Sequence, residues 1–174
     1  MTYRGQPIDR KAPGALYTPE QRKRRDGSRW TLVQGVLAPV QFVVFLASAG
    51  LIARYLMTGE DLALANASVV LKTIVLYVIM ITGSIWEKVV FGKYLFADAF
   101  YWEDMVSMLV LALHTAYLVA LGWGLLDGPA LMVLALAAYA TYVVNATQFV
   151  LKLRAARLSS ASTRQSSPAL EGAA

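Results

Sequence analysis

Ser68 to Leu126 reads SVVLKTIVLYVIMITGSIWEKVVFGKYLFADAFYWEDMVSMLVLALHTAYLVALGWGLL. Two apolar runs flank a short connection. The first extends from about Ser68 to Trp86, broken only by Lys72 and closed by Glu87-Lys88; the second opens after Trp102-Glu103-Asp104 and continues through His114 to about Leu126. As helices rising about 1.5 Å per residue, each is long enough to cross roughly 30 Å of hydrocarbon.

The pattern repeats on both sides. Upstream, Trp30 to about Met57 is apolar apart from Gln34, Gln41 and Ser48, with Pro39 as an expected kink. Downstream, Asp127-Gly128-Pro129 is a tight-turn signal, and Ala130 to Leu151 forms a fourth run. The expectation is an all-α, integral membrane four-helix bundle occupying 30–153, with spans at about 30–57, 68–87, 103–126 and 130–152. Residues 1–29 read as a polar basic arm, with one short helix after Thr18-Pro19-Glu20, and residues 154–174 as a disordered tail.

Composition agrees. Of 174 residues, 57% are hydrophobic and mean hydropathy is +0.52, too apolar for a soluble domain. The pI of 9.6 comes from basic residues flanking the spans, so no nucleic acid is expected as partner. The arm (Arg22, Lys23, Arg24, Arg25), the second connection (Lys88, Lys93) and the last flank (Lys152, Arg154, Arg157) are basic, whereas the first connection offers Arg54 and the third nothing. That alternation predicts both ends on the cytoplasmic side. There is no cysteine, which removes disulfides, thiolate metal sites and cysteine nucleophiles together.

Polar groups at membrane depth cost free energy, about 2.5–3.5 kcal/mol for a central charge on insertion scales, so each needs a reason. In the predicted orientation Gln34, Gln41, Glu87, Lys88, Glu103, Asp104, Asn145 and Gln148 all fall in the cytoplasmic half, one polar layer fed by four helices. Gln34, Gln41 and Ser48 recur every seven residues on one stripe. Glu103 and His114 share a face, with the imidazole about 16 Å deeper, near the midplane. Asp104 is rotated about 100° from Glu103. Lys72, in the opposite half, reads as a snorkelling or substrate-charge residue rather than a proton donor.

Plainer readings compete with these. The four charges at Glu87, Lys88, Glu103 and Asp104 also suit helix ends at an interface, with acids favoured in a first turn. The amides also suit interhelical hydrogen bonding. His114 is the only histidine, which excludes a bis-histidine haem or a zinc site built by the protein alone; a lone imidazole still suits axial ligation of one macrocycle-bound magnesium or iron, or proton transfer. No phosphate loop, dinucleotide fingerprint, zinc-protease motif or nucleophile elbow is present, so no nucleotide or redox cofactor is expected.

Four stretches carry a resemblance: LYTPEQRKRRD, WTLVQGVLAPVQF, the run from Val69 to Leu118 within the segment quoted above, and ALAAYATYVVNATQFVLKLRAARL. Together, from Leu16 to Leu158, they resemble the 3-vinyl bacteriochlorophyllide hydratase family of bacteriochlorophyll biosynthesis. The resemblance implies a hydro-lyase that adds water across the C3-vinyl group of a (bacterio)chlorophyllide, giving a 1-hydroxyethyl substituent. It also implies a bacterial inner or intracytoplasmic photosynthetic membrane, and a magnesium tetrapyrrole substrate that brings its own metal, with no further cofactor. A homo-oligomer or contacts with other pathway enzymes fit the same setting.

Hydration of a vinyl group needs an acid for the terminal carbon and a positioned water for the adjacent cation. On residue chemistry the candidates are Glu87, Glu103, Asp104 and His114 for catalysis, His114 doubling as possible axial ligand to the substrate's magnesium. Gln34, Gln41, Lys88, Tyr142, Asn145 and Gln148 are candidates for substrate binding. The substrate's propionate is expected to meet Lys88, Lys93 or the Arg22 to Arg25 cluster. A non-catalytic pigment carrier would use the same bundle, and a small dimeric transporter is a third class, weakened by carboxylates lying near the interface.

Overall fold

The computed structural model describes residues 16–166, with side chains placed through 158. Among the described residues there are five helices and no strand: α1 (Pro19–Gly27), α2 (Arg29–Thr58), α3 (Leu62–Phe91), α4 (Tyr101–Gly122) and α5 (Gly128–Ser166). Four of them, α2 to α5, are long and apolar enough to span a membrane. The short helix expected after Thr18 is present. Thr18 accepts from the Gln21 N–H at 3.2 Å while the Gln21 side chain accepts from the Thr18 N–H at 2.9 Å, a reciprocal capping box ahead of Pro19. Pro7 and Pro13 lie outside the described residues.

The helices pair as two hairpins, α2 along α3 and α4 along α5, joined by lighter α2–α5 and α3–α4 contacts. At the end away from α1, Ile52, Ala65, Val69, Tyr117, Met132, Ala135 and Tyr139 form the largest core; Leu76, Val110 and Tyr142 fill the middle. At the α1 end, Tyr17, Val90 and Phe100 pack with Trp86, Phe91 and Phe149 as a cluster of stacked and edge-on rings. Burial pushes the Tyr17 phenol up, opposed by the Arg25 guanidinium 4.6 Å from its ring centre. Large apolar side chains such as Val43, Ile81 and Val133 point outward around the belt, as lipid-facing residues do.

Span limits differ from the sequence expectation at several places, α3 running on to Phe91 rather than ending at about 87 among them. α3 begins at Leu62 rather than about 68, because Leu62-Ala-Leu-Ala-Asn-Ala consists largely of strong helix formers and Asn66 finds a partner in Tyr117 Oη at 2.8 Å. α4 stops at Gly122, where Gly124 takes a left-handed φ of 63°. The expected disordered tail is corrected over its first part: α5 runs on to Ser166, since Arg154-Ala155-Ala156-Arg157-Leu158 favours helix and no glycine or proline intervenes. The rest of that tail lies outside the described residues.

Polar ties join the helices within the apolar layer. Ser48 Oγ lies 2.6 Å from Ser68 Oγ and 2.7 Å from Tyr139 Oη, linking α2, α3 and α5. At the end away from α1, Gly128 starts α5 against α2 and α3, and a Cβ there would collide with Tyr55 Oη and sit 2.9 Å from a Leu62 methyl. Gly128→Ala is expected to lower stability in detergent by about 1–3 kcal/mol through overpacking, and Tyr55→Phe in the same chain to restore part of it, read as the thermal unfolding midpoint. An alanine variant as stable as the wild type would show that this end does not pack as described.

Candidate active site

At the α1 end, three carboxyl groups are buried, and the sequence dictates how each is reached. Glu87 comes from the last turns of α3, and Glu103 and Asp104 from the first turn of α4, where acids are favoured by the unpaired N–H groups of the helix start. Being neighbours on a helix, Glu103 and Asp104 diverge. Glu103 turns toward α5, where its Oε2 accepts from Lys152 Nζ at 2.6 Å. Asp104 turns toward α3, where its carboxyl and that of Glu87 face each other within hydrogen-bonding reach. Two carboxyls in that relation need one proton between them.

The connection between α3 and α4 drapes over this pair. Gly92 ends α3 with a left-handed φ of 84°, and the chain returns so that the Phe96 N–H donates to Asp104 Oδ2 at 2.8 Å and the Ala97 N–H to Glu87 Oε2 at 3.4 Å. Phe96 itself holds φ at 57°, a costly value for a residue with a side chain. Local strain thus aims a backbone donor at the acid pair. One turn deeper on α4, Ser107 Oγ accepts from Asn145 Nδ2 at 2.7 Å; Asn145 Oδ1 and Gln148 Oε1, both on α5, are buried without partners.

A second polar group of residues lies in the middle of the bundle. His114 is fully buried, its ring stacked on Tyr139 at 5.7 Å. Its Nδ1 is 2.8 Å from the Val110 carbonyl, so Nδ1 carries the hydrogen and Nε2 is left as an unpartnered acceptor. Lys72 is also fully buried and does not snorkel. Its Nζ makes no hydrogen bond and rests 3.9 Å from the centre of the Tyr142 ring. Gln41 on α2 is buried with Oε1 unpartnered.

Two apolar grooves open on the outer surface. One, of about 230 Å³, lies between α2 and α5 and is lined by Phe42, Tyr142, Val143, Ala146, Thr147, Val150 and Leu151. The other, of about 360 Å³, lies between α2 and α3 around Val44, Ser48, Leu51 and Leu71. No group of three or more metal-ligating side chains occurs among the described residues.

Residues 17–155 match the family described as 2-vinyl bacteriochlorophyllide hydratase (BCHF). The chain belongs to that family. Two curated relatives carry the same name: one from Cereibacter sphaeroides is 63% identical over 154 residues, 88% of this chain and 96% of the relative. Another from Rhodobacter capsulatus is 60% identical over 148 residues, 85% of this chain and 86% of the relative. The resemblance read from the sequence is therefore shown, although the family name numbers the vinyl position 2 rather than 3. No solved structure matches the chain.

Of the residues expected at the site, the structure brings Glu87, Asp104 and Glu103 together, with Asn145 and Gln148 alongside on α5. His114, Gln41 and Tyr142 belong to the mid-bundle group instead. Gln34 ties α2 to α3 through Thr82 Oγ1 at 2.7 Å, and Lys88 is exposed, donating to the Gly92 carbonyl at 2.9 Å. Lys93 is paired with Asp98 and Arg25 with Asp26. Lys152, Ser107 and the Phe96 and Ala97 N–H groups were not anticipated as site residues. Ser107 carried a signal, lying four residues beyond Glu103 and seven before His114 on one face; the backbone donors carried none.

The Glu103–Lys152 pair lies at the edge of the apolar layer, so removing one partner strands the other. Lys152→Met is expected to destabilise the detergent-solubilised protein by about 1–3 kcal/mol, with Glu103→Gln in the same chain recovering more than half, both measured by thermal unfolding. Additive losses in the double variant would contradict the pairing.

Proposed function

We propose that this chain hydrates the C3-vinyl group of a (bacterio)chlorophyllide to the 3-(1-hydroxyethyl) product in bacteriochlorophyll biosynthesis. Family membership names the reaction, and the observation that carries the assignment of residues is the buried, juxtaposed Glu87–Asp104 pair, each carboxyl met by a backbone N–H of the α3–α4 connection. In this reading the pair donates its proton to the terminal vinyl carbon, and the positive charge left on the adjacent carbon spreads into the macrocycle. A water oxygen then bonds to that carbon and gives up a proton to the carboxylate just formed. One water is added, no electron is transferred, and the acid pair is restored.

Burial keeps competing water away from the cation, and the Phe96 and Ala97 N–H groups steady whichever carboxyl is momentarily charged. Glu103, already held by the Lys152 ammonium, serves to fix α4 against α5. Asn145 and Gln148 offer free carbonyl oxygens to the attacking water. The reaction needs no cofactor, the magnesium arriving with the substrate. His114 has the tautomer an axial ligand needs, yet it is sealed behind Tyr139 and borders neither groove; its role is to support the mid-bundle group.

We further place both chain ends on the cytoplasmic side of a bacterial inner or intracytoplasmic photosynthetic membrane. The placement of Lys and Arg supports this, as does the gathering of the carboxyl cluster, α1 and the aromatic residues at one end. The outward apolar belt is in contact with lipid, and it leaves room for a second copy or for pathway enzymes.

Purified protein incubated with 3-vinyl bacteriochlorophyllide in oxygen-18 water, without nucleotide, is expected to yield a product heavier by one labelled water. Unchanged pigment mass on tight binding would favour a carrier. Glu87→Gln is expected to lower turnover by at least about 10²-fold, as for loss of a general acid, with pigment still bound, while Glu103→Gln costs less. Full activity in the Glu87 and Glu103 carboxamide variants would end this assignment.

A further inference from the structure

Lys72 is left unexplained by the reaction above. A fully buried amine on α3, it has no hydrogen-bond partner and touches the face of the Tyr142 ring. Charge at this depth is costly unless it is paired. Four of the cations at the interface are engaged elsewhere: Lys88 with the Gly92 carbonyl, Lys93 with Asp98, Arg25 with Asp26 and Tyr17, and Lys152 with Glu103.

The position of Lys72 relative to the carboxyl cluster is informative. Its Nζ lies over Tyr142, and Glu103 is held by Lys152 on the same helix, ten residues on. At 1.5 Å per residue the two centres are about 15 Å apart along the bundle. That is comparable to the breadth of a tetrapyrrole with its side chains. The α2–α5 groove covers this interval, lined from Tyr142 at one end to Val150 and Leu151 at the other, and its walls are apolar. α2 and α5 touch only lightly, so lateral access from the lipid meets one of the two lighter seams of the bundle.

We propose that Lys72 anchors the carboxylate of a flat, apolar pigment lying edge-on in the α2–α5 groove, with the Tyr142 ring as the cover that swings aside to admit it. Resting on the hydratase reading, this sets the substrate's direction: carboxylate toward the middle of the bundle, vinyl group toward Glu87 and Asp104. An anion brought against Lys72 in so apolar a setting is attracted far more strongly than one at the interface. His114 and Gln41, with free acceptor atoms in the same part of the bundle, take up the remaining ammonium hydrogens or a bridging water.

The test compares binding of 3-vinyl bacteriochlorophyllide free acid with that of its methyl ester, followed by tryptophan quenching and pigment absorbance in detergent. The wild type is expected to prefer the acid at least tenfold. Lys72→Met should bind both forms as the wild type binds the ester, Lys72→Arg should keep most of the preference, and Lys88→Ala with Lys93→Ala should leave it unchanged. A Lys72→Met variant that still prefers the acid, or a wild type with no preference, overturns the anchor. Wild-type binding of the ester alongside either result leaves the hydratase reading standing, whereas failure to bind either form overturns both. The acid-against-ester comparison on the wild type needs no variant to fold.

Discussion

A carboxyl group in an apolar layer has no water to lean on, and the arrangement of this molecule at its α1 end follows from that constraint. Three acids arrive there on two helices, and each is satisfied differently: Glu103 by Lys152, Asp104 by the Phe96 N–H, and Glu87 by Asp104 and the Ala97 N–H. These contacts fix α4 against α5 and the connection against both α3 and α4. They also hold Glu87 and Asp104 side by side beneath that connection.

The same constraint explains the backbone between α3 and α4. The chain must turn through Gly92 and then hold Phe96 at a left-handed φ so that two consecutive N–H groups reach down to the carboxyls. The aromatic cluster of Tyr17, Trp86, Phe91, Phe100 and Phe149 surrounds this turn and gives the strained segment a rigid setting. α1 is tied in on both sides: Tyr17, just before it, stacks on Phe91, and Thr31 of α2 links the Arg25 carbonyl to Trp86 Nε1.

From the carboxyl cluster to the middle of the bundle, several polar groups are left incomplete rather than satisfied. Gln41, Lys72, His114, Asn145 and Gln148 each carry a buried polar atom without a partner, and they come from all four long helices. Interior groups of this kind are costly unless something else binds them. None of the five lines either apolar groove, but Tyr142, against which Lys72 rests, does.

By itself the sequence determined the number and order of the long helices, because runs of apolar residues longer than the hydrocarbon is thick have few other uses, and it carried the family resemblance in long uninterrupted stretches. It also placed Glu87, Glu103 and Asp104 at one depth, since depth along a helix follows from counting. What counting does not give is azimuth and partner. Only the tertiary structure decided that Asp104 meets Glu87 while Glu103 meets Lys152, that Gln34 ends on Thr82, that Lys72 turns inward beneath Tyr142, and that α5 continues past the expected membrane edge. Those outcomes depend on how the two hairpins rotate against each other, and that rotation is set by side-chain packing between residues far apart in the chain.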